Sequence, residues 1–255
     1  MQEDDKKNKK YKVHNDKIFC IGYNKSGSSS LVYSIQELGF GPLMGFLAGE
    51  NLLPSLIESN RCSDDTFKEN LLEFSETANL FKDIPFSLPN VWKIIYAKYP
   101  SAKFILSVRD SPEMWFKSIT NFHASLATIT SWGGINETTY CYSKTHNTNS
   151  FFHDYMTIIN GNSKEPYNKT NLIASYNKHN DEVITFFKDK PNFIIINVAK
   201  DSDYIRLCKF LGKKAKLTKF LHMQSFTTLP KPGTEVKPLH MRDNKQKLNL
   251  TYKNK

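Results

Sequence analysis

Short apolar runs alternate along the chain with longer segments in which apolar side chains recur every three or four residues. The runs at residues 17–22, 103–108 and 193–198 have the length of buried strands, and a further strand is predicted at residues 78–83. The segments between them have the periodicity of helices that bury one face. Strands that alternate with helices predict an α/β fold in which a parallel sheet is covered by helices on both faces.

The helices are predicted from this periodicity and from residues that favour helix ends. They are expected at residues 29–38, 48–60, 64–78, 87–98, 172–188 and 204–211, with one more beginning near Pro112. Asp110 or Ser111 can cap the start of that helix, and Pro112 suits its first turn. Gly39 and Gly212 end two of the other helices.

The chain has the size and composition of one folded domain. It contains 255 residues, of which 39% are hydrophobic, so it can bury a core and global disorder is excluded. We expect a charged, frayed tail over residues 1–16 and a single domain over 17–255. Residues 125–170 are predicted to form a polar insertion, with room for a helix near 151–159, and a basic tail follows from residue 213.

Charge and cysteine usage narrow the possible functions. The formal net charge of +10 suits an anionic partner, such as nucleic acid, a membrane surface or a phosphorylated small molecule, and does not choose among them. The four cysteines form no C-x-x-C pair and the seven histidines show no metal-binding spacing, so no metal site or disulfide framework is predicted. No run is long enough to cross a membrane, and the N-terminus lacks the apolar segment of a secretory signal. We therefore expect a cytoplasmic protein.

The segment from Gly22 to Ser30 is the clearest candidate for a binding site, because it joins the first predicted strand to the first helix. Gly22 and Gly27 match the two glycines of the phosphate-binding pattern G-x-x-x-x-G-K-[ST]. Ser28 stands in the position of its lysine, and Lys25 comes earlier. Backbone N–H groups at such a helix start favour an anion, and serine hydroxyls add donors. A loop that merely turns the chain is the alternative.

A nucleoside or sugar kinase is one competing interpretation. Kinases neutralise the polyphosphate of their nucleotide with magnesium, which acidic side chains help to hold. The strand at 103–108 ends instead in Arg109, and the lysine of the loop is displaced. The sequence therefore favours an anion that needs no metal. An assay of magnesium-dependent ATP turnover would distinguish the two functions.

Two segments together resemble the sulfotransferases that use 3′-phosphoadenosine 5′-phosphosulfate (PAPS). The run Lys25-Ser-Gly-Ser-Ser29 is similar to the loop with which that family binds the 5′-phosphosulfate. The run from Tyr99 to Ser118 is similar to a subgroup with the pattern R-D-x-P-E-x-W-x-x-S. In the family, an arginine at a strand end and a serine on the next helix bind the 3′-phosphate, and Arg109 and Ser118 match these two positions.

This resemblance implies a P-loop-NTPase-like α/β fold and transfer of a sulfuryl group to a hydroxyl or amine of a small-molecule or glycan acceptor, without a metal. Lys25 would stabilise the oxygen from which the sulfuryl group departs. The 5′-phosphosulfate would be held by Lys25, Ser26, Gly27, Ser28, Ser29 and Ser30, and the 3′-phosphate by Arg109 and Ser118. The nucleotide product would be 3′-phosphoadenosine 5′-phosphate (PAP).

Asp83 is the candidate for the general base. The subgroup carries an aspartate in a D-x-P element before its Y-P-x-A-K strand, and Asp83-Ile-Pro85 is similar to that element. Asp83 also ends a predicted strand, the edge at which active sites of open α/β sheets lie. Its alternative role is to cap the following helix. The interval 39–108 contains no histidine, so His123 is the next candidate.

Other interpretations stay open beside this one. A basic nucleic-acid-binding module would use the positive charge, but no motif of that class is present, and we expect no nucleic-acid partner. An inactive relative of the sulfotransferases is also compatible with the sequence. The acceptor and the oligomeric state are not predicted, although residues 42–62 and 125–170 are candidates for the acceptor walls. The candidates for closing over the 3′-phosphate are Lys213, Lys214 and Lys216.

Overall fold

Five parallel strands form one sheet in the part of the chain that the computed structural model describes, namely residues 16–44, 65–129, 155–162 and 164–221. The strands are β1 (Ile18–Cys20), β2 (Leu43–Met44), β3 (Leu80–Phe81), β4 (Lys103–Ser107) and β5 (Phe193–Ile196). Their order across the sheet is β2-β3-β1-β4-β5. Because β1 lies between β3 and β4, the loop that follows it opens at the middle of the carboxyl edge. Ligands of open α/β sheets bind at this kind of position.

Helices pack against both faces of this sheet. They are α1 (Ser28–Glu37), α2 (Asp65–Phe74), α3 (Val91–Lys98), α4 (Pro112–Ile129), α5 (Lys169–Phe187) and α6 (Asp201–Phe210), and residues 155–160 are also helical. Phe19 of β1 belongs to the core cluster that contains side chains of α2, α3, α4 and α5. Ile18 and Cys20 belong to a second cluster, with side chains of α1 and α6. Neighbouring strand residues point to opposite faces, so the predicted two-sided arrangement is confirmed.

The helix predicted at residues 64–78 is shorter in the structure, where α2 spans Asp65–Phe74. Polar side chains take over the last carbonyl groups of this helix. The Ser75 hydroxyl donates to the Leu72 carbonyl oxygen at 2.6 Å, and the Thr77 hydroxyl donates to that of Phe74 at 2.7 Å. Serine and threonine compete in this way with the backbone donors that would continue a helix.

The helix predicted at residues 87–98 begins later, at Val91. Leu88 precedes a proline, and a residue in that position is disfavoured from helical geometry by contact with the proline ring. Asn90 then adopts a left-handed conformation with φ of 64°. The chain from Ile84 to Ser87 forms a turn and Leu88 lies in a bend, so Asp83 lies away from the helix start.

Differences elsewhere concern short or interrupted elements. The edge strand β2 was not predicted, because two residues carry no periodicity. Helix α4 extends into the predicted insertion, and α5 begins at Lys169, where the Asn168 side chain accepts a hydrogen bond from the Asn171 N–H at 3.1 Å. The helix predicted at 48–60 lies outside the described residues, as do residues 1–15, 130–154 and 222–255.

Candidate active site

The loop after β1 packs closely against the end of β4 and against the chain that follows β5. A Cβ atom on Gly22 would lie 2.4 Å from the Ser107 carbonyl oxygen, so only glycine fits there. Gly27 has φ of 103°, and a Cβ atom on it would lie 2.5 Å from a methyl group of Val198. The Ser26 and Ser107 hydroxyl oxygens are 2.5 Å apart. The two glycines predicted from the sequence are therefore required by the close approach of β4 and of the chain after β5.

Helix α1 begins directly at this loop with groups that suit an anion. Its N-cap residue, Gly27, provides no side-chain hydrogen bond, and its first turn contains no acidic residue. The first N–H groups of a helix have no partner within the helix and carry partial positive charge. Ser28 and Ser30 are buried in this turn and Ser29 is half-buried. An anion at this position would meet both backbone and hydroxyl donors.

Lys25 is held in the same loop with its ammonium largely removed from water. Its backbone is left-handed, with φ of 68°, and its Nζ lies 4.0 Å from the centroid of the Phe122 ring. Burial lowers the pKa of the ammonium to about 8, against the opposing effect of the Asp83 carboxylate. The positive charges of Arg109 and Lys82 add to the lowering. Lys25 is thus a cation at neutral pH that loses its proton in mildly alkaline solution.

Asp83 directs its carboxylate at the loop. It is 7% exposed, and its backbone is left-handed, with φ of 59°. The Ser28 hydroxyl donates to Asp83 Oδ1 at 2.8 Å, and the Lys82 ammonium donates to Oδ2 at 2.6 Å. The alternative role predicted for this residue, capping the next helix, is wrong, because the N-cap of α3 is Asn90. Residues held in sparsely populated backbone conformations cluster at functional sites.

Lys82 is a member of this group that the sequence did not reveal. Besides its ion pair with Asp83, its ammonium donates to the Ser29 hydroxyl at 3.2 Å. Burial alone would lower the pKa of Lys82, but the charge and hydrogen bond of Asp83 outweigh it and raise the pKa. Ser28, Ser29, Lys82 and Asp83 therefore form one hydrogen-bonded network at the carboxyl edge.

Arg109 links the loop to helix α4. Its Nε donates to the Lys25 carbonyl oxygen at 2.8 Å, and its Nη2 donates to the Ser118 hydroxyl at 3.3 Å. The Arg109 N–H donates to the Tyr176 hydroxyl at 3.0 Å, which fixes the chain where β4 ends. Burial lowers the pKa of the guanidinium, which nevertheless stays charged in proteins. Arg109 and Ser118, predicted as a pair, do lie together.

The start of α4 and the loop are fixed by further polar contacts. Ser111 accepts a hydrogen bond from the Met114 N–H at 3.2 Å and so caps the helix, as predicted. Asn24 accepts one from the Ser87 hydroxyl at 2.8 Å, and its carbonyl oxygen accepts one from Trp115 Nε1 at 3.0 Å. Sequence reasoning missed Asn24, because an asparagine in a polar loop looks like an ordinary solvated residue.

His123 and His179, the buried histidines of the described part of the chain, are neutral at physiological pH. His123 Nδ1 lies 2.8 Å from the Tyr167 hydroxyl, and burial, reinforced by the charge of Lys25, lowers its pKa to about 3. His179 Nε2 lies 2.9 Å from the Ile21 carbonyl oxygen, and burial lowers its pKa to about 4. His123, the alternative candidate for the base, is thus buried and bonded to a tyrosine.

Two of the three lysines considered for closure over the 3′-phosphate make contacts elsewhere. Lys213 Nζ is 4.9 Å from the centroid of the Phe40 ring, and Lys216 Nζ donates to the Glu37 carbonyl oxygen. Both contacts are at the C-terminal end of α1, about 15 Å along this helix from the loop at a rise of about 1.5 Å per residue. These two lysines therefore lie near the opposite edge of the sheet from Arg109.

The remaining serines of the loop also have identified contacts. The Ser26 hydroxyl contacts Ser107, as noted, and the Ser30 carbonyl oxygen accepts a hydrogen bond from the Ser34 hydroxyl at 2.8 Å. Among the described residues, no three His, Cys, Asp or Glu side chains are grouped as a metal site requires. None of the helices in those parts of the chain is long and apolar enough to cross a membrane.

Comparison with known families agrees with this fold. A family model, described as the sulfotransferase domain, matches residues 17–225. The match covers all five strands and every residue of the site described above. No curated protein matches the chain significantly.

Proposed function

The chain belongs to the sulfotransferase domain family, and we propose that it transfers a sulfuryl group from PAPS to a hydroxyl or amine of a small-molecule or glycan acceptor. Membership of this family supports sulfuryl transfer in general. The donor, the base and the course of the reaction are the parts proposed from this chain's own residues.

The observation that carries the proposal is the position of Arg109 between two elements that we propose bind anions. Its guanidinium bonds both to the loop, at the Lys25 carbonyl oxygen, and to Ser118 on α4. PAPS carries a phosphosulfate on its 5′ oxygen and a phosphate on its 3′ oxygen, so it needs two anion sites on one edge of the sheet. The loop with the start of α1 is suited to the first anion, and Arg109 with Ser118 to the second.

The residues present fit the 5′-phosphosulfate in their chemistry. The start of α1 offers N–H groups without a side-chain cap, and the glycine at its N-cap keeps the approach free of a side chain. Lys25 supplies positive charge, and Ser26, Gly27, Ser28, Ser29 and Ser30 complete the loop that would hold the group. These donors are fixed by the contacts of Ser26 with Ser107 and of Asn24 with Ser87. A fixed array of donors stabilises developing negative charge at little reorganisation cost.

In this proposal Asp83 accepts the proton of the acceptor, and Lys25 stabilises the negative charge that develops on the leaving group. Asp83 takes the proton of the acceptor hydroxyl as the new bond between oxygen and sulfur forms. The bond between sulfur and the phosphate oxygen breaks in the same in-line displacement, and PAP leaves. Lys25 balances the charge that builds on that phosphate oxygen. No step requires a metal.

We expect PAP to bind at least tenfold more tightly than ADP, because only PAP places a phosphate at Arg109 and Ser118. Isothermal calorimetry without magnesium measures both affinities. Arg109→Met should weaken PAP about ten- to a hundredfold, the effect of losing a hydrogen bond to a charged group, and should change ADP much less.

Arg206→Met is the matched control. Arg206 pairs with Asp203 on α6 and is exposed, so its loss should leave both affinities unchanged. Equal affinity of the wild-type protein for PAP and ADP would remove the basis for a 3′-phosphate site.

A further inference from the structure

The ammonium of Lys82 lies between the proposed base and the proposed anion-binding loop. It is 2.6 Å from Asp83 Oδ2 and 3.2 Å from the Ser29 hydroxyl. The side chains of Lys82 and Asp83 are 15% and 9% exposed, so this ion pair is largely shielded from water. A cation in that position can interact with either of two anions, the carboxylate of Asp83 or a ligand at the start of α1.

The backbone explains how two neighbouring residues come to share this position. Successive side chains of an extended strand point to opposite faces. Strand β3 ends at Phe81, and the positive φ of Asp83 turns the chain out of the extended conformation. The Ser87 N–H then donates to the Asp83 carbonyl oxygen at 2.9 Å and closes the turn. The Lys82 and Asp83 side chains consequently meet at the carboxyl edge.

Both carboxylate oxygens of Asp83 accept hydrogen bonds in the structure. Oδ1 accepts from the Ser28 hydroxyl and Oδ2 from the Lys82 ammonium. Both hydrogen bonds are strengthened by the charge of the carboxylate, but only the Lys82 bond is also an ion pair between opposite charges. The ammonium is therefore the partner that competes most with an acceptor hydroxyl for Asp83.

We propose that Lys82 is a positioning residue that holds Asp83 until the donor binds, and that the anionic group of the donor then draws the ammonium away from Oδ2. This inference rests on the proposed function. The Ser29 contact already ties the ammonium to the loop, so only a short movement is required. Donor binding thereby makes Oδ2 available to the acceptor hydroxyl, and the donor binds before the acceptor can react.

The first test follows the ammonium itself in wild-type protein labelled with ¹⁵N-lysine. The Lys82 ammonium signal is assigned by its absence from Lys82→Arg. Saturation with PAPS, verified by calorimetry, should shift this signal. The signal of Lys17 is the internal control. Its ammonium donates to the Ser75 and Ala78 carbonyl oxygens, and Lys17 directly precedes β1 at the opposite edge of the sheet.

The second test compares affinities for PAPS. Lys82→Met leaves the Asp83 carboxylate beside the donor without its cation, so PAPS should bind about tenfold more weakly. Lys82→Arg keeps the charge and should stay within about threefold of wild type. The exposed Lys93→Met is the matched control and should not change the affinity.

The outcomes separate the two claims. If PAPS gives no binding heat, the proposed function fails and the inference fails with it. If PAPS binds while the Lys82 signal stays unchanged, the inference alone is overturned. If a folded Lys82→Met protein binds PAPS as tightly as wild type, the inference is likewise overturned. The wild-type spectrum decides the question even where that variant does not fold.

Discussion

Replacement of Asp83 by asparagine should reduce sulfuryl transfer by about a hundred- to ten-thousandfold, the usual contribution of a general base. Asparagine keeps the size of the side chain and an oxygen that can accept from the Ser28 hydroxyl, but it cannot take a proton. The variant should also be less stable, because Lys82 loses the carboxylate with which it pairs. Removing one partner of a buried ion pair costs up to about 3–5 kcal/mol, and the partial exposure of this pair places the cost at the low end.

The measurement is transfer of labelled sulfate from PAPS to a panel of hydroxyl acceptors, together with the melting temperature and the affinity for PAP. The double variant Lys82→Met/Asp83→Asn removes the whole ion pair and separates lost stability from lost basicity. The exposed Asp181→Asn is a control for the chemical change alone. If folded Asp83→Asn transferred sulfate at a near-normal rate, Asp83 would have only a structural role. His123 would then be the next candidate for the general base.

Replacement of Lys25 by alanine should lower turnover about a hundredfold and change the affinity for PAPS less. A cation beside the leaving oxygen acts mainly when charge develops there, so its loss affects kcat more than binding. Steady-state kinetics with PAPS as the varied substrate checks this expectation. Turnover close to wild type would show that Lys25 is an ordinary loop lysine.

Lys25→Arg is the control for the charge of this residue. Burial lowers the pKa of Lys25 to about 8, so the wild-type ammonium loses its proton as the pH rises through that value. The kcat/KM for PAPS, which depends on the free enzyme, should therefore fall above about pH 8. Arginine stays protonated throughout, so the fall should be absent from Lys25→Arg even where its activity is lower.

The parts of the site that could be predicted are those encoded by local sequence. The loop from Gly22 to Ser30 has its glycines and serines in one run, between an apolar strand and an amphipathic helix. Arg109 follows a strongly apolar strand, which places it at the carboxyl edge without knowledge of the tertiary structure. Ser118 could be paired with it through the resemblance to a known family.

The parts that could not be predicted depend on contacts between distant segments or on backbone conformation. Lys82 would point away from Asp83 in a regular strand, and only the left-handed conformation of Asp83 brings the two together. Asn24 holds the loop through Ser87 and Trp115, which are far from it in sequence. No local pattern contains either arrangement.

The elements of the fold divide in the same way into those encoded by local sequence and those that depend on distant contacts. The three long apolar runs predicted β1, β4 and β5 because parallel strands buried on both faces are continuously apolar. Strand β2 has two residues at the edge of the sheet, and its position depends on pairing with β3. The late start of α3 follows from Pro89, whose effect on the preceding residue a periodicity argument overlooks.

The most direct test of the central claim is a crystal structure of the protein with PAP bound. We expect the 5′-phosphate at the loop and the start of α1, within hydrogen-bond distance of residues 25–30. We expect the 3′-phosphate within hydrogen-bond distance of Arg109 and Ser118. A nucleotide bound in another place, or a 3′-phosphate without contact to Arg109, would show that this edge of the sheet is not a PAPS site.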